Sequence, residues 1–175
     1  MAPSADSGLP PAAGWSWHIL RGDEVRLVWP VVLIVDGQDC GSWISEAGAW
    51  IAAQGRQGGI AVVRCGFGTI CGLFLYAVQA HDEHAVLHVE RLLGVDLFGS
   101  NRTLVALLRA VRDLAEIHAC RLARLRPPPL SEPGSAAVVA GRLGYVIGPS
   151  YWHLELPASL HDGGDLLNST PSTRG

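Results

Sequence analysis

From Glu90 to Leu108 the chain reads ERLLGVDLFGSNRTLVALL: an apolar run, then Gly99, Ser100, Asn101 and Arg102, then an amphipathic pattern. A strand that ends in a small polar turn and opens a helix presents unpaired backbone N–H groups and the positive end of the helix dipole. That is anion-binding chemistry, suited in an α+β protein to a phosphorylated cofactor, and Arg102 could add a charged contact to a phosphate. The competing reading makes Ser100 or Asn101 a simple helix cap and leaves Arg102 solvated. Upstream on the same run, His88 and Glu90 stand two apart, so a strand carries both on one face. Either these are ionisable groups at a site, or they are the polar outer face of a half-buried strand with Leu87 and Val89 inward.

His81, Asp82, Glu83, His84 and His88 form the densest set of metal-ligand residue types. A tight turn rarely aims such side chains at one centre, and no Cys or distant His is spaced to complete a tetrahedral set, so we expect a solvated hairpin tip and no metal. There is no G-x-S-x-G elbow, and nothing supports a cysteine nucleophile beyond the presence of Cys and His.

The elements that must position these residues are legible in part. GWSWHILR has the content of a short strand, and EVRLVWPVVLIVD is ambiguous between helix and strand, with Pro30 interrupting either. From Ser42 to Gln54, Trp43, Ala47, Trp50 and Ile51 recur at helical spacing and stop before Gly55. GIAVVRC and TICGLFLYAVQ flank a glycine-rich turn and predict a hairpin, in which Cys65 and Cys71 face each other. HAVLHVERLLGVDLF predicts a further strand, with Gly94 at a bulge or close approach. From about Asn101 to Ala119 the set Leu104, Leu107, Leu108, Val111, Leu114 and Ala115 follows the 3.6-residue period. CRLARLRP predicts a short strand halted by Pro127, Pro128 and Pro129. A second helix is expected from about Gly134 to Leu143, and YVIGPSYWHLEL as a bent strand or strand pair.

With 175 residues, 49% of them apolar and 17% charged, the chain is long enough for a single domain with a substantial core. We expect residues 15–156 to form it, with 1–14 a loose leader and 157–175 a flexible tail. All 13 basic residues are arginines scattered singly, and the net charge is -3, so neither nucleic acid nor an anionic membrane is an expected partner. The longest apolar run, Val31 to Val35, falls far short of a bilayer span, and the leader lacks a basic start and an apolar core, which predicts a cytosolic protein. The four cysteines lack C-x-x-C spacing and read as reduced, buried small residues. The six tryptophans are read first as core, with a cleft wall as the alternative.

Hairpin, strand, long helix, short strand, short helix, then Leu143-Gly144-Tyr145 ahead of a terminal strand pair: this order resembles the GCN5-related N-acetyltransferase family over roughly residues 15–156. It is sharpest at AAVVAGRLGYVIGPSYWHLEL. The resemblance implies an α/β (α+β) fold, a mixed and mostly antiparallel central sheet with one parallel strand pair and helices on both faces. It implies a sheet splayed after the fourth strand, with acetyl-CoA or another acyl-CoA in the gap. Leu93, Gly94 and Val95 would then hold the pantetheine arm, and Gly99, Ser100, Asn101 and Arg102 the phosphates.

The same resemblance makes Glu90 or His88 the base that deprotonates an amine, and Tyr145 or Tyr151 the acid that protonates a departing thiolate. The family's phosphate-loop glycines fall near Arg102 and Leu104, and its usual tyrosine falls at Ala140. Two functions stay open. One is a divergent acyl-CoA-dependent N-acyltransferase acting on a small-molecule or protein amine. The other is a catalytically silent domain that binds a ligand or protein through the same cleft. A homodimer is compatible with either.

Overall fold

The computed structural model describes residues 14–81, 84–96, 101–128 and 133–157. Seven strands form one sheet in the order β1-β2-β3-β4-β5-β7-β6. They are β1 (Ser16–Ile19), β2 (Gly58–Arg64), β3 (Ile70–His81), β4 (His84–Gly94), β5 (Cys120–Leu125), β6 (Val146–Ile147) and β7 (Trp152–Glu155). Among the described residues only β4 and β5 run parallel, and every other neighbouring pair is antiparallel. The long helix α3, which connects β4 to β5, is the crossover that a parallel pair requires.

Alternation along β2 and β3 sends Ala61, Val63, Phe74 and Tyr76 to one core and Ile60, Val62, Leu73 and Leu75 to the other. The first core is covered by α3 (Arg102–Ile117) and α4 (Pro133–Arg142), the second by α1 (Trp29–Asp36) and α2 (Cys40–Gln54). Covering both faces explains why β2 and β3 are almost continuously apolar.

EVRLVWPVVLIVD, ambiguous in sequence, is helical throughout. A 3-10 turn over Gly22–Val28 leads into α1, and Pro30 sits in the first turn of α1, where a missing N–H costs nothing. Pro30 thus starts the helix instead of interrupting it. Asp39 caps α2 by accepting the Ser42 N–H at 3.0 Å, so α2 begins two residues before the periodicity alone indicates. The long strand ends at Gly94, short of the expected Phe98; residues 97–100 lie outside those described, as do 1–13 and 158–175. Leu143-Gly144-Tyr145 terminates α4 as the pattern predicts. Gly144 has φ of 88°, and the Tyr145 N–H returns to the Ala140 carbonyl at 3.0 Å. Cys65 and Cys71 do meet across the β2–β3 hairpin, and all four cysteines are free thiols.

Two features of β4 position everything that follows. Tyr76 is opposite Val89 and Leu75 is opposite Arg91, so Glu90 is the extra residue of a β-bulge. On the other edge, β4 pairs with β5 only from Ala85 to Val89, the last bond running from the Arg126 N–H to the Val89 carbonyl at 3.1 Å. Pro127 and Pro128 have no N–H to continue that ladder. Beyond Val89 the ladder is not continued among the described residues, and Leu92 and Gly94 of β4 border, with Pro128, a gap, the wedge.

Gly94 is the close-approach point that its position in a strand suggests. A Cβ there would lie 2.9 Å from Leu107 Cδ1 and 3.0 Å from Thr103 Cγ2. Thr103 cannot readily turn away, because its hydroxyl donates to the Val95 carbonyl at 2.9 Å. Gly94→Ala is therefore expected to destabilise the fold by about 1–3 kcal/mol through overpacking, read from the midpoint of a denaturant titration.

Candidate functional site

Strand alternation decides which backbone groups the wedge exposes. The Val95 N–H points to β3, bonding the Cys71 carbonyl at 2.8 Å, so Leu93 also faces β3 and the N–H and C=O of Leu92 and Gly94 face the wedge. Of the three residues expected to contact a pantetheine arm, only Gly94 is placed to do so with its backbone. Leu93 is corrected on two counts, because its backbone faces β3 and its side chain is buried in the α1/α2 core. Val95 is corrected too, since Cys71 and Thr103 already engage its N–H and carbonyl. At the base of the wedge lies a cavity of about 40 Å³ bounded by Gly94, Asn101, Thr103, Leu104 and Pro128.

The α3 terminus also differs from expectation. Gly99 and Ser100 lie outside the described residues. Asn101 stands at the N-cap position in the left-handed region, φ 54°, but its side chain makes no capping bond. Its backbone N–H donates instead to the Asp96 carboxylate at 3.1 Å. The start of the helix is therefore matched by an anion that the chain itself supplies. Arg102 is exposed, while Thr103 and Leu104 turn inward. The N–H groups of residues 102–104 precede the first return bond of the helix, which Val105 makes to the Asn101 carbonyl at 2.9 Å.

On the α1/α2 side the bulge sends both Glu90 and Arg91 toward a cleft of about 550 Å³, walled by Glu46, Trp50, Leu75 and Arg126. His88 shares this face, as the two-residue spacing predicts. Burial lowers its basicity first, the nearby Arg124 charge adds to that, and Glu90 opposes both. Glu90 makes an ion pair with Arg126 at 3.4 Å. Tyr151 stands close enough to Arg126 to raise the basicity of its guanidinium, and Arg124 lies 4.6 Å from the centre of the Tyr151 ring. Glu90 and Arg126 thus form an ion pair with Tyr151 beside it at the mouth of the wedge.

The two tyrosines separate cleanly. Tyr145 is 4% exposed in the core under α3, and its hydroxyl donates to the Leu108 carbonyl at 2.7 Å. Burial pushes its pKa upward, and a proton so held cannot be delivered at the wedge, which removes Tyr145 from the candidate acids. Ala140, where the resembled family keeps a tyrosine, is fully buried.

Arg91 is a site residue that sequence reasoning did not find. It bonds Asp36 twice, once at 2.9 Å, Glu46 at 2.7 Å and Gln38 at 3.1 Å, and it lies over the Trp43 ring. The network fastens α1 and α2 to β4 and neutralises Arg91. Among the charged residues that line the cleft, Glu46 is engaged with Arg91, which leaves Glu90 and Arg126 to meet an incoming molecule. Arg126 had one usable signal, its place immediately before three prolines, where the β5 ladder must end.

No family model and no curated protein matches the sequence. Solved structures do. The NatB acetyltransferase complex bound to CoA aligns over 81% of this chain and 99% of the matched chain, with TM-score 0.59 and 11% identity. A ribosomal-protein-alanine N-acetyltransferase from Brucella melitensis aligns over 78% and 95%, with TM-score 0.58 and 14% identity. The PaiA N-acetyltransferase from Thermoplasma acidophilum, solved with coenzyme A, aligns over 81% and 99%, with TM-score 0.56 and 11% identity. The chain has the fold of the GCN5-related N-acetyltransferases.

Two outcomes follow from the side-chain placements. Tyr145→Phe takes the second donor from the Leu108 carbonyl, which keeps its helix bond, and is expected to cost about 1 kcal/mol of stability in a denaturant titration. His88 is expected to titrate below 6.5 by NMR. Because its folded pKa is depressed, the folded state binds fewer protons than the unfolded one, so stability is full above 6.5 and declines as pH falls toward the folded value.

Proposed function

We propose, with the acetyltransferase fold as premise, that the protein is an acyl-CoA-dependent N-acyltransferase whose reaction centre is the wedge between β4 and β5. The observation that carries this reading is the early end of the β4–β5 ladder at Val89, with the bulged Glu90 beside the opening. Fit to the cofactor is uneven. The free backbone groups of Leu92 and Gly94 suit the amide-bearing arm of coenzyme A, whereas Asp96 stands against a diphosphate at the start of α3. Acyl-CoA, when bound, supplies an acyl group activated as a thioester.

Gly94 and Leu92 hold the arm as an added strand would be held. Glu90 receives the proton that the amine sheds as it attacks, directly or through a water, and Arg126 fixes the carboxylate in place. His88, neutral at pH 7, is the alternative acceptor on the same face. Tyr151 would give its hydroxyl proton to the sulfur as the carbon–sulfur bond breaks and take one back from solvent, with Arg126 beside it at the mouth of the wedge. Trp50 and Leu75 exclude water from the acceptor side and help align amine and acyl carbon, where much of the acceleration arises.

A catalytically silent domain is the second reading. The Asp96 carboxylate at the helix start favours it, since a like charge there opposes phosphate.

Calorimetric titration with acetyl-CoA decides between the two. The transferase reading expects binding well below 1 mM, roughly tenfold tighter in Asp96→Asn, where a repulsive charge is gone. It also expects Glu90→Gln to lower turnover on the order of 100-fold with acetyl-CoA affinity unchanged. Absence of binding below millimolar concentration in both the unaltered chain and Asp96→Asn defeats the transferase and leaves the silent domain standing.

A further inference from the structure

A second pocket, independent of the wedge, lies on the opposite flank of α3. Its volume is about 190 Å³, and it is lined by Trp15 and Trp17 from β1 and its approach, Val63 from β2, and Ala106, Arg109 and Asp113 from α3. Leu104 and Leu107 of the same helix face the wedge instead, so α3 separates the two sites.

The charges in this pocket are arranged in an unusual way. Arg109 and Asp113 are four apart on one helix, a spacing that ordinarily lets the side chains pair. They do not pair here. Asp113 accepts the Trp17 indole N–H at 3.0 Å, and Arg109 makes no hydrogen bond or ion pair among the described residues. A half-buried guanidinium is therefore left over an apolar floor of Val63, Ala106 and Ala110, next to two indole rings.

We propose that this pocket binds a small aromatic carboxylate, its ring against Trp15 and Trp17 and its carboxylate on Arg109. The chemistry favours that class over its rivals. A guanidinium pairs with a carboxylate through two parallel bonds, indole faces stack on a flat ring, and Asp113 is already engaged. A cation would meet the like charge of Arg109, which opposes it. Size agrees, because an engineered cavity of about 150 Å³ is known to take benzene, and about 190 Å³ leaves room for one further small group.

Benzoate is the probe, added to the full chain and followed by ligand-observed NMR and calorimetry at fixed ionic strength. Saturable binding is expected with a dissociation constant on the order of 1 mM or tighter, the range open to so small a ligand. Benzamide, the neutral isostere, should bind at least about tenfold more weakly, and benzylamine should not compete. Arg109→Gln should weaken benzoate about tenfold with an unchanged circular-dichroism spectrum. Absence of saturation by roughly 10 mM, equal affinity for benzoate and benzamide, or an unaffected Arg109→Gln would each overturn the proposal. Should Arg109→Gln fail to fold, the benzoate–benzamide comparison on the unaltered chain decides alone.

Discussion

Where the β4–β5 ladder stops governs the rest of this molecule. A parallel pair buried between two helical layers would ordinarily zip along its whole length, because each unpaired N–H or C=O in such a place carries a desolvation cost of about 1–3 kcal/mol. Two local features prevent that. The prolines after Arg126 offer no donors, and the extra residue at Glu90 shifts the strand against β3 so that β4 bends. The opening is thus encoded in the backbone and does not depend on a ligand to hold it apart. Its exposed polar edge belongs to Leu92 and Gly94, the residues whose backbone groups an incoming amide-bearing chain would satisfy.

The bulge does a second thing that is separable from the first. It places Glu90 and Arg91 on the same side of the sheet, one loosely paired and the other tightly held. Arg91 is only 23% exposed and is held by Asp36, Glu46 and Gln38, a network that ties three elements together. Glu90, 40% exposed, keeps a single exposed partner in Arg126. An exposed pair of this kind contributes about 0–1 kcal/mol, so either partner can be released at little cost. A deeply buried pair in the same place could not.

Much of this was legible because it follows from period and turn chemistry. The apolar positions of α3, the hairpin around Gly66 to Gly68 and the Leu143-Gly144-Tyr145 stop are each written within a few consecutive residues, whereas the parallel strand pair came only from the family resemblance. What was not legible depended on neighbours distant in sequence. The resemblance gives Leu93 and Val95 to the pantetheine arm, yet the hydrogen-bonding parity of β4, set by its pairing with β3, gives that edge to Leu92 and Gly94. Tyr145 and Tyr151 are six residues apart and look alike in sequence, but the turn at Gly144 drives one under α3 and leaves the other beside Arg126. Arg91 became visible only once α1 proved helical and brought Asp36 across the sheet.

The start of α3 shows how fold and function can compete for the same atoms. A helix that begins without capping side chains needs an acceptor, and here Asp96, five residues before Asn101, supplies one. That bond steadies the turn between β4 and the helix, the turn on which the depth of the wedge depends. It also places a negative charge where the resembled family receives a diphosphate. The two demands are reconciled only if the ligand's affinity comes mainly from the strand edge, through Leu92 and Gly94, with the helix terminus contributing little. A binding mode weighted toward the arm would be less sensitive to salt than one weighted toward phosphate, since screening acts on charges and hardly on amide hydrogen bonds. Sequence departures at the phosphate turn and retention of an open strand edge are then consistent features of one site, because the part that changed is the part that the fold had claimed for itself.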